Sequence, residues 1–382
     1  MLAAPAARAQ FAPNFQISAP YVILMDYASG TVLFEKKADT PWPPASLAKL
    51  MTMEIVFNEI KRGDLKLDDL LVVSANAWRK GGAPSRGSAM FASIHSKVKV
   101  EDLIQGVIVQ SGNDASIVFA EALAGNEDLF ARMMNERARE LGLASADFRN
   151  STGLHDPEQT ISVRDLAKLA AHLIRTYPEF FPYYRQREFT WNKIRQLNRN
   201  PLLDMNIGAD GMKTGFIKES GYGLVGTAVQ DGQRLIVVVN GVHDQKQRGE
   251  EAKKLLEWGF RNFEARQLFK EGATVAEARV FGGERGHVPL VGAGAIHLLT
   301  PRATGDKILA RVYYTGPLRA PIKKGTESGR LKVFRGDKVV LEQPLYAGAD
   351  VGPGSLVQRA IDGTSETAIG WVRSAMSSVL KR

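Results

Sequence analysis

The sequence predicts a mixed α/β (α+β) unit with an antiparallel sheet and a helical subdomain over residues 20–263. A small all-β sandwich follows over 264–357, then an amphipathic helix within 358–382. Three observations carry this reading. β-rich runs stand at both ends of 20–263, with helical periodicity between them. That periodicity stops near residue 264 and gives way to short β-rich runs parted by Gly, Pro and Asp. From Thr364 it returns, with Ala368, Ile369, Val372, Ala375, Met376, Val379 and Leu380 on one face.

Residues 1–19 read as an N-terminal arm. Ala7-Arg8-Ala9 before Gln10 has the small-x-small form of a signal-peptidase site, without the apolar stretch that normally precedes one, so 1–9 read as the remnant of a secretory signal. Tyr21–Asp26 and Thr31–Lys36 flank Tyr27-Ala28-Ser29-Gly30 and predict a hairpin. A helix starts near Ala45, with Leu50, Met53, Val56, Phe57 and Ile60 at 3–4 spacing and Pro44 at its edge. Helical patterns recur over 101–110, 114–124, 127–141 and 163–176, and 187–191 predicts a short strand. Runs 223–230 and 234–242, joined through Asp231-Gly232, predict a second hairpin. A helix follows over 246–263. The runs 278–281, 296–299, 308–314, 331–335 and 338–342 make up the all-β region, with Arg335-Gly336-Asp337-Lys338 as a turn. In the last stretch Trp371 sits beside the apolar face and Arg373, Lys381 and Arg382 add positive charge. That pattern suits a helix lying in a membrane interface.

Composition bounds the function. With 382 residues, 44% apolar and 24% charged, the chain has ordinary globular usage. No uninterrupted apolar run of about 18 residues is present, which excludes a polytopic membrane protein. There is no cysteine, so a disulfide framework, a thiol nucleophile and a thiolate-bound metal are excluded. The net charge of +9 favours polyanions in general. No groove-reading nucleic-acid motif accompanies it, so anionic membrane or wall polymer explains it better. The six histidines show no metal-ligand spacing.

Three short motifs carry chemistry. Ser46-Leu47-Ala48-Lys49 puts a hydroxyl and an amine three residues apart on one helix face. A serine needs a base beside it to act as nucleophile, and a lysine serves only if burial or a nearby cation lowers its pKa. Ser111-Gly112-Asn113 precedes a helix start, where such residues also serve as caps. Lys213-Thr214-Gly215 enters a strand. Its lysine offers a cation that could depress the pKa of Lys49, and its glycine would allow close approach of a ligand backbone.

These motifs lie in this order about 65 and 100 residues apart. S-x-x-K, an S-D-N-type element and K-T-G are shared by class A β-lactamases and penicillin-binding proteins. The stretches Pro44–Thr52, Gln110–Ala115, Ile194–Asn200, Asp210–Gly215 and Lys253–Phe260 resemble the low-molecular-mass D-alanyl-D-alanine carboxypeptidases, over essentially residues 20–380. The resemblance implies a penicillin-binding/β-lactamase-like domain. Ser46 would be the nucleophile, attacking the penultimate D-Ala carbonyl of a peptidoglycan stem pentapeptide, and Lys49 its base. Ser111 and Lys213 would relay a proton to the leaving D-Ala. Asn113, Thr214 and Gly215 would grip the peptide, and the N–H groups of Ser46 and Phe216 would form the oxyanion hole. The terminal carboxylate would meet Thr214 and Arg248 or Arg199.

The resemblance further implies no cofactor, inhibition by β-lactams, and a periplasmic location after secretion by a signal peptide. The 364–382 helix would hold the protein on the outer face of the cytoplasmic membrane. Phe216 and Ile217 depart from the His or Tyr followed by Thr that the family often has. A backbone role survives at 216; a hydroxyl contact at 217 does not. The competing readings are a β-lactamase, for which Glu158 lacks the Glu-x-x-x-Asn setting of a deacylating base, and a non-enzymatic wall-binding protein.

Overall fold

Tyr21–Asp26 (β1) is buried at every residue, the mark of an interior strand covered on both faces. Its neighbours are Val32–Lys36 (β2), its hairpin partner, and Gln233–Val242 (β9), from the far end of the same unit. The strands at the two ends therefore share one sheet, as the sequence predicts. The structure is a computed structural model that describes residues 15–302 and 308–355. The expected signal remnant at 1–9 and the helix at 364–382 lie outside the described residues. The described residues divide into two compact units, the first of 15–28 and Val32–Asn262, the second of Ser29–Thr31 and the residues from Phe263 on.

In the first unit a five-stranded antiparallel sheet runs in the order β2, β1, β9, Gly221–Gln230 (β8) and Ala209–Ile217 (β7). Between β2 and the closing strands lies the helical body. It contains Lys49–Arg62 (α1), Leu70–Val72 (β3), Lys97–Lys99 (β4), Val100–Gln105 (α2), Asn113–Ala124 (α3), Glu127–Glu140 (α4), Val163–Thr176 (α5) and Pro182–Arg185 (α6). A small ribbon follows, Glu188–Trp191 (β5) with Ile194–Leu197 (β6). Ala209–Ile217 (β7) and Gly221–Gln230 (β8) complete the sheet, and Gln245–Asn262 (α7) closes the unit.

Local chemistry explains most boundaries. Asp231 and Gly232, between β8 and β9, both have positive φ, 49° and 77°, as a two-residue hairpin turn needs. Asn126 caps α4 by accepting from the Leu129 N–H at 2.8 Å. Gly63 ends α1 in the left-handed region. α2 and α7 end before their sequence patterns do. The 101–110 pattern is regular α-helix only to Gln105, then widens into a π-helical turn, Gly106–Gln110, ending at Ser111 with φ 65°. The 246–263 helix stops at Asn262, because Phe263 starts a strand.

Helices cover both faces of the sheet. On one, Gly259 of α7 lies so near Leu24 and Leu235 that a Cβ there would meet their carbons at 2.8 and 2.7 Å. The other face carries Ile23, Met25, Ile236 and Val238 and shares one core with Leu50, Met53 and Phe57 of α1 and Leu166 and Leu169 of α5.

The second unit is all-β. Phe263–Phe269 (β10) pairs with Ile296–Pro301 (β13) in a two-stranded ribbon. The remaining strands are Thr274–Phe281 (β11), His287–Val291 (β12), Ile308–Tyr313 (β14), Leu318–Arg319 (β15), Glu327–Arg335 (β16) and Lys338–Ala347 (β17). They form a six-stranded sheet in the order β14-β16-β17-β12-β11-β15. Ile296 and Leu298 of the ribbon and Val280, Leu290, Leu331, Val333 and Leu345 of the sheet share a core of their own.

Candidate active site

Ser46 sits in a 3-10 turn, Ala45–Ala48, that leads directly into α1. Lys49 opens α1 and is fully buried. Its ammonium lies 3.1 Å from Ser46 Oγ and 2.7 Å from Asn113 Oδ1, and it also donates to the Thr152 carbonyl. Burial pushes Lys49 down to about 7. The Arg199 guanidinium pushes the same way, and Asp114 and Glu127 oppose it. Near neutral pH a substantial fraction of Lys49 is therefore free amine, the form a general base needs.

The loop behind Lys49 is built by an Asx turn. Asn150 Oδ1 accepts from the N–H groups of Thr152 and Gly153 at 3.2 and 2.7 Å and from Thr152 Oγ1 at 2.9 Å. Gly153 is required there. It has φ +77°, and a Cβ would fall 1.9 Å from the Ala45 carbonyl oxygen. One turn along α1, Thr52 Oγ1 donates to the Ser151 carbonyl at 2.7 Å and ties the same loop to the helix.

Ser111 is placed by the π-helical turn after α2, a distortion frequent at functional sites. Its Oγ is buried and has no hydrogen-bond partner in the structure. Asn113 starts α3, and its N–H donates to the Ser88 carbonyl at 2.7 Å. Asp114 is fully buried and holds the 88–92 segment by accepting from the N–H groups of Met90 at 2.9 Å and Ala92 at 3.2 Å.

Lys213, Thr214, Gly215 and Phe216 lie on β7, a strand in its own right at the edge of the sheet. Gly215 makes room within the protein. A Cβ on it would lie 2.9 Å from the Pro44 carbonyl oxygen and 3.2 Å from the Leu47 amide nitrogen, so the absent side chain lets β7 close on the Ser46 turn. Lys213 Nζ donates to the Thr214 carbonyl at 3.0 Å. Burial holds Lys213 well below the usual lysine value, reinforced by Lys49, Arg199 and Arg248. Burial does most of the lowering of Lys49 and the Arg199 charge adds to it, while the repulsion between Lys49 and Lys213 disfavours charge on both amines.

A cleft of about 640 Å³ opens over these groups. Ser46, Ser111, Arg199, Thr214, Gly215, Phe216 and Arg248 line it, together with Leu197 and Tyr222. Lys49, Asn113 and Lys213 are buried and not part of its lining. Arg248 is buried, its Nε has no partner, and burial lowers it to about 10, so it stays cationic at neutral pH. Arg199 donates to Ser88 Oγ at 2.6 Å. By surface area it is exposed, yet atoms crowding it lower its guanidinium. Glu158 is exposed, 3.6 Å from Arg149, and outside the cleft lining. The arrangement brings together a hydroxyl, a partly neutral amine, a second unpartnered hydroxyl and a buried cation. Those are the parts of an acyl transfer to serine from a carboxylate-bearing substrate.

Sequence reasoning did not single out Asn150, Thr152, Gly153, Ser88, Asp114 or Tyr222. The Asn-Ser-Thr-Gly run at 150–153 carried a turn signal. Asp114 adjoins the Ser111-Gly112-Asn113 motif, and Ser88 and Tyr222 carried no signal.

Comparison with known proteins gives matches along most of the chain. The family of D-alanyl-D-alanine carboxypeptidases matches residues 6–244, and the C-terminal domain of penicillin-binding protein 5 matches 263–353. D-alanyl-D-alanine carboxypeptidase DacC of Escherichia coli is 41% identical over 92% of this chain and 90% of its own length. DacA of Haemophilus influenzae is 39% identical over 91% and 88%. Among solved structures, penicillin binding protein 5 from Haemophilus influenzae superposes with a TM-score of 0.78 at 38% identity, covering 88% of this chain and 98% of that one. Penicillin-binding protein D2 from Listeria monocytogenes in its ampicillin-bound form gives 0.57 at 30% identity, over 65% and 99%.

Proposed function

The chain belongs to the D-alanyl-D-alanine carboxypeptidase family, and from that membership we propose that it removes the terminal D-Ala of peptidoglycan stem pentapeptides through an acyl-Ser46 intermediate. The observation that carries the mechanism is the fully buried Lys49, lowered to about 7 and 3.1 Å from Ser46 Oγ. Neutral Lys49 takes the Ser46 proton as Oγ attacks the penultimate carbonyl carbon. The N–H groups of Ser46 and Phe216 receive the developing oxyanion. As the tetrahedral intermediate collapses, the C–N bond breaks and the leaving D-Ala amine takes a proton relayed through Ser111, with Lys213 beside it. Water then attacks the ester, Lys49 acting again as base, and Ser46 is restored. Asn113 and the Thr214-Gly215 strand hold the peptide, and Thr214 with Arg248, or with Arg199, receives the terminal carboxylate.

The same attack on a strained lactam amide leaves a stable acyl-Ser46, so β-lactams are inhibitors. Their binding in relatives, one solved with ampicillin, supports this. The chemistry calls for no metal or cofactor. The substrate polymer, the Ala7-Arg8-Ala9 sequence and the basic amphipathic pattern of 364–382 together support a periplasmic protein. The basic amphipathic pattern supports a peripheral position on the outer face of the cytoplasmic membrane.

The test is release of free D-alanine from a soluble pentapeptide stem, with Ser46→Ala alongside. Release by the parent and none by the variant is the expected result; equal release from both rules out Ser46 as the nucleophile. For the membrane placement, the full chain is expected to sediment with anionic vesicles and a chain lacking 364–382 to stay in solution.

A further inference from the structure

Phe216 and Leu197 are large apolar side chains left exposed in the cleft wall, and of the two Phe216 lies on the strand that carries Thr214. It follows Thr214 by two residues on β7, so the two share a face. Its ring stacks on that of Tyr222, its cross-strand partner, with centroids 4.1 Å apart and planes at 26°. Phe216 is nonetheless 52% exposed. Tyr222 in turn carries the Arg248 guanidinium 5.6 Å from its ring centre. Ser46, Thr214, Phe216, Tyr222 and Arg248 line one cleft. The plate is therefore rigidly backed and open toward the position where a substrate's terminal carboxylate would sit.

We infer that Phe216, backed by Tyr222, is a specificity-determining residue that selects an apolar side chain on the terminal residue of the substrate. The inference rests on the carboxypeptidase reading above. A terminal carboxylate held by Thr214 and Arg248 puts the terminal Cα one bond away, and its side chain is then the group that reaches the plate. A methyl group there covers aromatic carbon that is otherwise wet. A hydrogen in its place leaves it wet, and a polar group loses its own water without gaining a hydrogen bond.

The experiment compares soluble stem peptides ending in D-Ala and in Gly, reading kcat/KM for release of the terminal residue by the parent, Phe216→Ala and Phe216→Leu. The parent is expected to prefer D-Ala by roughly tenfold or more, the discrimination that one methyl group supports. Phe216→Ala brings the ratio close to one, and Phe216→Leu, which restores apolar cover, keeps most of it. A parent that releases both residues equally well, or a Phe216→Ala variant that keeps the parent's ratio, overturns the plate and leaves the carboxypeptidase reading standing. A parent that releases neither overturns both.

Discussion

Lys49 shows what one buried residue contributes. In water its amine would be almost wholly protonated at neutral pH and useless as a base. Within the protein burial dominates and the Arg199 charge adds to it, bringing the group to about 7. The sign of the pH dependence follows. The base is competent when neutral, so acylation of Ser46 by benzylpenicillin is expected to rise with pH through about 7 and then level off. A rate still climbing at pH 10 contradicts it. Arg199→Gln removes a charge that lowers Lys49, so the rising limb should move to higher pH. An unmoved limb would mean that the Arg199 charge does not act on Lys49. The sequence placed Ser46 and Lys49 on one helix face. The source of the shift was not legible there, because desolvation depends on Asn113, Thr152 and the loop folded over the amine from distant positions.

At the scale of elements, the site is a meeting of three backbone pieces: the Ser46 turn, the widened turn before α3, and the edge strand β7. Helix and hairpin positions in the first unit were legible because apolar periodicity and turn residues report them directly, as at β1 and at Asp231-Gly232. The π-helical turn at Gly106–Gln110 was not, since its residues continue a helical pattern and only packing widens it. Nor was β10: Phe263 continues the apolar face of the preceding helix, and the exposed Glu264–Gln267 show no alternation. Gly215 offers a test of the meeting itself. A methyl group at Gly215 would press on the Pro44 carbonyl oxygen and on Leu47 and part β7 from the Ser46 turn. Gly215→Ala is expected to lower kcat/KM by about 10²-fold, the scale of loss from a displacement of roughly 1 Å in a reacting group. Full activity in this variant would show that the contact yields without moving the strand.

For the whole molecule, each unit has its own core. That of the first draws on residues between Tyr21 and Val238, and that of the second on residues between Ala278 and Val351. The cleft is lined entirely by residues of the first unit. A chain ending at Asn262 is therefore expected to fold cooperatively and to be acylated by benzylpenicillin at a rate within a few-fold of the parent. Loss of its thermal transition would show that the first unit depends on the second for stability.

The residue types proposed to do the chemistry, their order, and the change from helical to β pattern are written along the chain, and the sequence alone determined the family and singled out Ser46 as the candidate nucleophile. It could do so because motif spacing and periodicity are local properties. What tertiary structure decided is how those residues are tuned and what surrounds them. It set the free-amine fraction of Lys49, left Ser111 Oγ without a partner, closed β7 on the Ser46 turn at Gly215, and stacked Phe216 on Tyr222. Each depends on which distant atoms exclude water or fill space around a group, and only the folded chain brings those atoms together.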